Sequence, residues 1–416
     1  MIIETNGSTG GKWTTEEMLM LYHLKVAKNT HKQIADIMSD KISRREYSEN
    51  LIHKKWQQTD WVKFLEIQGE KEELLAEMED REVEKQKVIE TTLSTQERLV
   101  KREQARTQLV IDAIQSSILR LPKPKPSDLK YVPNPKLTYS DEHMGVILSD
   151  MHLGASYTKE DTGGLSEFNI NIAKKRLSVL RDTVLSIAER HRHVCNLPEL
   201  HVFSLGDVVA GMNDAGSWSS SYIDLDIYDQ LIEGAAAIRD VIAVWSQAFE
   251  KVNFYGIYGN HGRVGKKGSH KDSTNWDRIC YEFVRASMLE YDNINWEIPK
   301  AWWLQKKIQD HNFYMTHGDG IRGSMGVPYY GVERAERLIL GLMQEKPDYL
   351  LLGHFHTPAE LQTNSGRILM NGSFMGGDMY SLKDLRRKDR AEQKLFGIHT
   401  KKGVTWSYNI QLDQKE

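Results

Sequence analysis

The stretch LLLGHFHTP, residues 350–358, runs apolar, stops at a glycine and then sets two histidines on either side of one phenylalanine. On an extended chain residues two apart share a face, so His354 and His356 can aim at one point while Phe355 turns back toward the core. Taken alone, the pair is as well explained by polar side chains at the wet end of a buried strand. Four more apolar runs stop in the same way, at Asp150 and His152 in SDMH, Asp207 in LGD, Asn260 and His261 in YGNHG, and His317 in THGD. Each has an ordinary role open to it: Asp207 as a helix cap, His317 as a bonded core histidine, Asn260 in a left-handed turn. Five such endings in one chain are too many for separate roles to explain. Oxygen and nitrogen donors without thiolate suit manganese, iron or zinc better than calcium. A carboxylate can bridge two cations while neutral imidazoles complete each shell, which leaves a positive site able to polarise a phosphoryl oxygen and hold hydroxide at neutral pH.

The elements that must carry these groups are legible between residues 141 and 416. GVILSD, LHVFSLGD, VNFYGIYGN, NFYMTHGD and DYLLLGHFH each read as a buried strand ending abruptly in polar residues. Helical patterns such as AKKRLSVLRDTVLSIAERH and YDQLIEGAAAIRDVIAVWSQAFE lie between them. Alternating strands and helices predict an α/β layered domain, in which ligands gather at the carboxyl ends of the strands.

The order DxH, GD, GNH, H, GHxH resembles that of the calcineurin-like metallophosphoesterase superfamily, over the stretch from Val146 to Asn371. The resemblance implies a β-sandwich flanked by helices with two divalent ions at one edge, manganese first in expectation and iron(II) or zinc as alternatives. It implies that Asp150, His152 and His356 hold one ion, that Asn260, His317 and His354 hold the other, and that Asp207 bridges them. It further implies in-line attack on phosphorus by a metal-held hydroxide, with the non-ligand His261 protonating or stabilising the leaving oxygen.

Within that superfamily the substrate varies widely. Phosphoprotein phosphatases carry GDxxDRG and GNHE, whereas this chain has GDVVAG and GNHG and lacks both that arginine and that glutamate. The stretch from GDVVAG through GNHGR to NWD is similar to repair-type DNA exonucleases and phage-borne phosphoesterases. The loop GNHGRVGKKGSHKDSTNWD sets Arg263, Lys266, Lys267, His270 and Lys271 among glycines, a pattern suited to tracking a phosphate backbone as well as to a solvated loop. Trp218 and Tyr222 are available to stack on bases or to pack in the core. The run KDLRRKDRAEQK from Lys383, with acidic residues interleaved, reads as an exposed helix face. The expected activity is a two-metal phosphodiesterase acting on DNA. The alternatives are a phosphoesterase for nucleotides or other small molecules, and a DNA- or protein-binding adaptor with a vestigial site. The adaptor should have lost ligands, and here every motif position is filled.

Residues 1–60 read as a small helical module. Thr14 or Thr15 can cap a first helix with Met18, Leu21, Tyr22 and Leu24 to Val26 on its apolar face; HKQIADIMSD and YSENLIHKKWQQTDW supply two more. With Trp13 and Trp56 these resemble the SANT/Myb-like helix-turn-helix family, whose third helix enters the major groove; here it would present Tyr47, Asn50, His53, Lys54 and Lys55. Glu46 and Glu49 temper its charge, and a protein-docking module is the other reading. Residues 61–121, dense in Glu, Lys, Gln and Arg, predict a helical stalk, a solvated spacer or a coiled coil that would make a homodimer. Residues 122–140 hold five prolines and read as an extended linker.

The 416 residues carry 40% hydrophobic and 27% charged side chains and a formal net charge of −3, so any nucleic-acid contact must come from local patches. Cys195 and Cys280 are isolated, which fits a reducing interior. No apolar run approaches a membrane span and the amino terminus lacks signal-peptide order, so the expected location is the cytoplasm, away from membranes.

Overall fold

Why the strand runs are apolar throughout is answered by the layering. The computed structural model describes residues 13, 15–42, 47–61, 64, 101–102, 105–106, 108–113, 116–117, 131–133, 142–212, 222–323, 328–383 and 386–413. The chain divides into two units, Met1–Arg102 and Glu103–Glu416. In the second, the described residues form eleven strands in two sheets. The first has the order β11-β10-β1-β2-β3-β4 and the second β5-β6-β7-β9-β8. Strands β1 (Glu142–Leu148), β2 (Glu199–Ser204), β3 (Lys251–Gly256) and β4 (Ile294–Glu297) run parallel; β10 (Glu392–His399) and β11 (Gly403–Gln411) close that sheet antiparallel. In the second sheet β6 (His311–Thr316), β7 (Tyr349–Leu352) and β9 (Arg367–Met370) are parallel, edged by β5 (Trp303–Ile308) and β8 (Ala359–Gln362).

The sheets face one another across Ile147, Phe203, Tyr255, Phe313, Met315, Leu351 and Phe396. The alternate residues Val146, Leu148, Val202 and Phe254 point the other way, onto a helical layer. That layer holds α4 (Ile170–Arg192), α5 (Ile227–Ala248) and α6 (Trp276–Ser287). On the far side Tyr314, Leu350 and Leu352 pack with Val332 and Ile339 of α7 (Tyr329–Leu342). A strand covered on both faces has no polar side to show, hence the unbroken apolar runs. The unit is an α/β sandwich of two sheets flanked by helices. The five site-bearing strands, read together from sequence as one rim, belong three to one sheet and two to the other.

One sequence reading is corrected here. Residues 383–394 are not an exposed helix: α8 (Met379–Lys383) ends as they begin, 386–390 are irregular, and β10 starts at Glu392. Lys394 is buried, its ammonium donating to Glu360 and Asn409. Tyr222 packs against the helical core, whereas Trp218 lies outside the described residues.

In the first unit, α1 (Thr15–Val26), α2 (His31–Lys41) and α3 (Glu49–Gln58) close around Leu21, Ile34, Ala35, Met38 and Ile52. Thr30 and Gln33 form a capping box on α2 and Ser48 caps α3. The cap expected at Thr14 is outside the described residues, and Val26 is exposed rather than on the packed face. Of the stalk, residues 65–100 are outside the described set; 101–102, 105–106, 108–113 and 116–117 are helical. Val110 and Ile111 pack against the core of the second unit, and Ser117 Oγ lies 2.9 Å from the Tyr228 hydroxyl. Apart from 131–133, the proline-rich linker is also outside the described residues. Among the described residues no helix is long and apolar enough to cross a membrane.

Candidate metal centre

Five of the eight strand-end groups enter the site through a turn that an L-residue resists. Asp150, His152, Asp207, His354 and His356 all have φ between 44° and 66°. A side chain held in that left-handed region costs on the order of 1 kcal/mol or more, and such strain persists where the surroundings impose it. Hydrogen bonds between the loops hold them so: within the first sheet Asp150 N donates to Gly206 O and His152 N to Asp207 O, within the second Gly353 N donates to His317 O, and from one sheet to the other His354 N donates to Asp150 Oδ1. Gly259 makes the closest approach possible: a Cβ there would stand 2.1 Å from Asp207 Oδ1.

The seven groups converge. Asp207 Oδ2 lies 3.0 Å from His317 Nε2 and 3.9 Å from His152 Nε2, so one carboxylate oxygen faces histidines of two clusters. In the first cluster His356 Nε2 is 3.5 Å from Asp150 Oδ1 and 3.3 Å from His152 Nε2. In the second, Asp207, His317 and His354 bring one donor atom each within a common 4.8 Å, and Asn260 Oδ1 is 3.2 Å from His317 Nε2. Metal–nitrogen bonds of about 2.0–2.1 Å place neighbouring tetrahedral ligands about 3.3 Å apart, close to this spacing. Two carboxylates, four imidazoles and an amide oxygen, four of the seven fully buried and the rest partly so, are a donor set that fits two divalent cations. His261 adjoins the centre. Its amide donates to Asp207 Oδ1 at 2.8 Å, its Nδ1 is 3.3 Å from Ala210 O, and its ring meets that of His152 edge-on.

Electrostatics divide the histidines. Burial, then the neighbouring histidines, push His152 down to about 3 and His354 down to about 4, so both are neutral. Burial also opposes the charge on His317, but Asp207 outweighs it and raises that group to about 10. His356 is likewise held well above its ordinary value, against burial, by Asp150 and Asp378. Burial alone would raise Asp207, yet His317 and His261 hold it well below the carboxylate range. The cluster has thus arranged protons where cations fit.

Four supporting residues escaped the sequence reading. Asp277, wholly buried in the first turn of α6, accepts from the amides of Asp207, Val208, Val209 and Gly259 at 2.8–3.2 Å, which ties the LGD and YGN loops together. Burial and the Asp207 charge push its carboxyl up to about 6, against the pull of those amides. Asp378 holds His356 Nδ1 at 3.4 Å and is itself fixed by Ser381. Gln393 and Asn371 anchor Ser149, whose hydroxyl donates to Asp150. The one cue available was NWD, whose Asn275 caps α6 and sets Asp277 in place.

The substrate candidates are less concentrated. Arg263 is not free to grip phosphate as it stands, because its guanidinium is bonded to Asp319 at 2.9 Å. Lys266 and Lys267 are exposed on the same loop. In the first unit Asn50, His53 and Lys54 are exposed on α3, while the Lys55 ammonium sits 5.8 Å over the Trp13 ring. Tyr47 is not on the groove face: it is buried, with its hydroxyl on Glu17.

No protein-family model matches the sequence, and no curated protein does. Among solved structures the chain is similar to a novel archaeal phosphodiesterase at 12% identity, covering 64% of this chain and 99% of that one with a TM-score of 0.29. It is similar to Vps29 of Cryptosporidium parvum at 10% identity (65% and 99% covered, TM-score 0.30). It is also similar to YfcE, a phosphoesterase from E. coli, at 15% identity (64% and 100% covered, TM-score 0.27). Likenesses this faint carry no argument about activity. What the site can do is read from its own residues.

Proposed function

We propose that the second unit is a two-metal phosphodiesterase acting on nucleic acid, DNA in first place. The observation that carries the reading is the position of Asp207, one buried carboxylate oxygen facing histidines of two clusters that five strand ends bring together. Two divalent ions held there would act as Lewis acids on a phosphoryl group and lower the pKa of water to near neutrality. The protein's own share is orientation. His317 Nδ1–H donates to Leu205 O, which turns Nε2 into the centre, and Asp378 does the same for His356. His261, anchored through Nδ1 on Ala210 O, would protonate the leaving oxygen in its imidazolium form, and burial keeps its pKa below the ordinary histidine value.

The DNA assignment is supported by the exposed Lys266, Lys267 and Lys271 beside the centre and by a helical module offering Asn50, His53 and Lys54. One observation favours a second reading, hydrolysis of a nucleotide-sized ester. A cavity of about 390 Å³ is walled by Trp302, Ile321 and Leu338 and by Gly259 and Gly318, the chain neighbours of Asn260 and His317; it is within the size range of small-molecule sites. Manganese-loaded protein should cleave linear, nicked or single-stranded DNA. Failure to do so under metals that still hydrolyse bis-p-nitrophenyl phosphate overturns the nuclease reading. A soluble nucleotide turned over much faster than DNA selects the second.

A further inference from the structure

At the opposite end of β1 and β2 the face between the sheets abandons the apolar pattern. Gly145, Ile147 and Phe203 continue the inter-sheet core, but the residues that precede them in the same alternation are His143, His201 and Glu199. His143 Nδ1 lies 3.0 Å from His201 Nε2, and Glu199 Oε2 lies 3.9 Å and 3.7 Å from those two nitrogens. This triangle brackets the separation of about 3.3 Å expected between ligands of one tetrahedral zinc ion. Seven residues separate His143 from Asp150, about 23 Å of extended chain, so the cluster is remote from the two-metal centre.

We propose that His143, His201 and Glu199 form a separate mononuclear site for a zinc-class divalent cation. Two features beyond the cluster point to a metal rather than to a histidine pair alone. The Tyr255 hydroxyl is 3.1 Å from His201 Nδ1, the outer partner that a metal-bound imidazole characteristically has, and it leaves Nε2 directed at the cluster. Asn253 Nδ2 donates to Glu199 Oε2 at 2.8 Å and is itself held by Asn295, so the carboxylate is also fixed from outside. The site opens on a cavity of about 510 Å³, with room for the water that completes a three-ligand ion. Lys251 and Lys306 line the same cavity; the Lys306 ammonium is occupied by Glu297 at 2.7 Å.

The test is metal counting on the full chain equilibrated with micromolar Zn²⁺, repeated with Co²⁺ for its tetrahedral absorption. Wild type should hold one more ion than His143→Ala or His201→Ala, whether the totals are three against two or, if the two-metal centre itself fails to fill, one against none. Tyr255→Phe should weaken that extra ion by about 10–100-fold. His201 is buried and its variant is at risk of misfolding. His143, near the start of β1 and less buried than His201, keeps the test decisive. Equal metal counts in wild type and His143→Ala, or an extra ion taken up only at millimolar concentration, overturn the proposal.

Discussion

His354 and His356 do not share a strand face as their spacing suggested: β7 ends at Leu352, both residues take left-handed backbone conformations beyond it, and they face different clusters, His354 with Asp207 and His317, His356 with Asp150 and His152. Single alanine variants should therefore each lose a different ion. Metal analysis of the two would show one equivalent missing from each, and loss of both ions together from both variants would contradict the division. His261→Ala removes an imidazole but keeps the backbone amide on Asp207, so metals should stay bound while turnover falls by about two orders of magnitude or more, the range for general acid catalysis. Protons set the pH behaviour. With metal absent, His317 retains its proton up to about pH 10 and His356 is also raised, so a cation must displace protons to bind. Metal affinity should rise from pH 6 to pH 9, with proton release visible as a buffer-dependent heat in calorimetry; a pH-independent affinity would contradict it. At this scale the sequence was informative about donor types, because few structural roles demand histidine and aspartate at strand ends. Beyond the NWD motif it said nothing of the bracing roles of Asp277 and Asp378, since a lone aspartate near a helix start looks the same whether it caps solvent or braces a site.

The loops that carry the ligands depend on α6. Asp277→Ala would leave four buried amides without their acceptor, each costing about 1–3 kcal/mol, so a loss of several kcal/mol in denaturant unfolding is expected along with poor metal retention. The basic loop makes a separate prediction. If Lys266 and Lys267 each neutralise one duplex phosphate, replacing both by alanine should reduce the slope of log affinity against log salt by about 1.8. The five strands were legible because burial on both faces makes them apolar throughout. The same property hid their division between two sheets, for neither face of such a strand is marked. β10 was misread because its lysine and glutamate side chains suggested solvent, whereas Lys394 is covered by Glu360 and Asn409. Tyr47 misled in the opposite sense: an aromatic ahead of a basic helix resembles a groove contact, yet its hydroxyl is bound to Glu17 inside the bundle.

Across the whole molecule, chemistry and delivery are assigned to different units. Removing residues 1–60 should weaken DNA binding and leave turnover of a small chromogenic diester unchanged; a parallel loss of both would tie the helical module to the catalytic unit itself. Within the stalk of residues 61–121, Val110 and Ile111 are engaged by their own chain. The central claim is that two ions at the junction of the two sheets perform phosphodiester hydrolysis. It is tested most directly by titrating metal-free protein with Mn²⁺ while following bis-p-nitrophenyl phosphate hydrolysis. The account predicts no turnover without metal, activity that appears as the second equivalent at this centre fills, and none in the His354→Ala/His356→Ala double variant. Full turnover in the metal-free protein or in that double variant would contradict it.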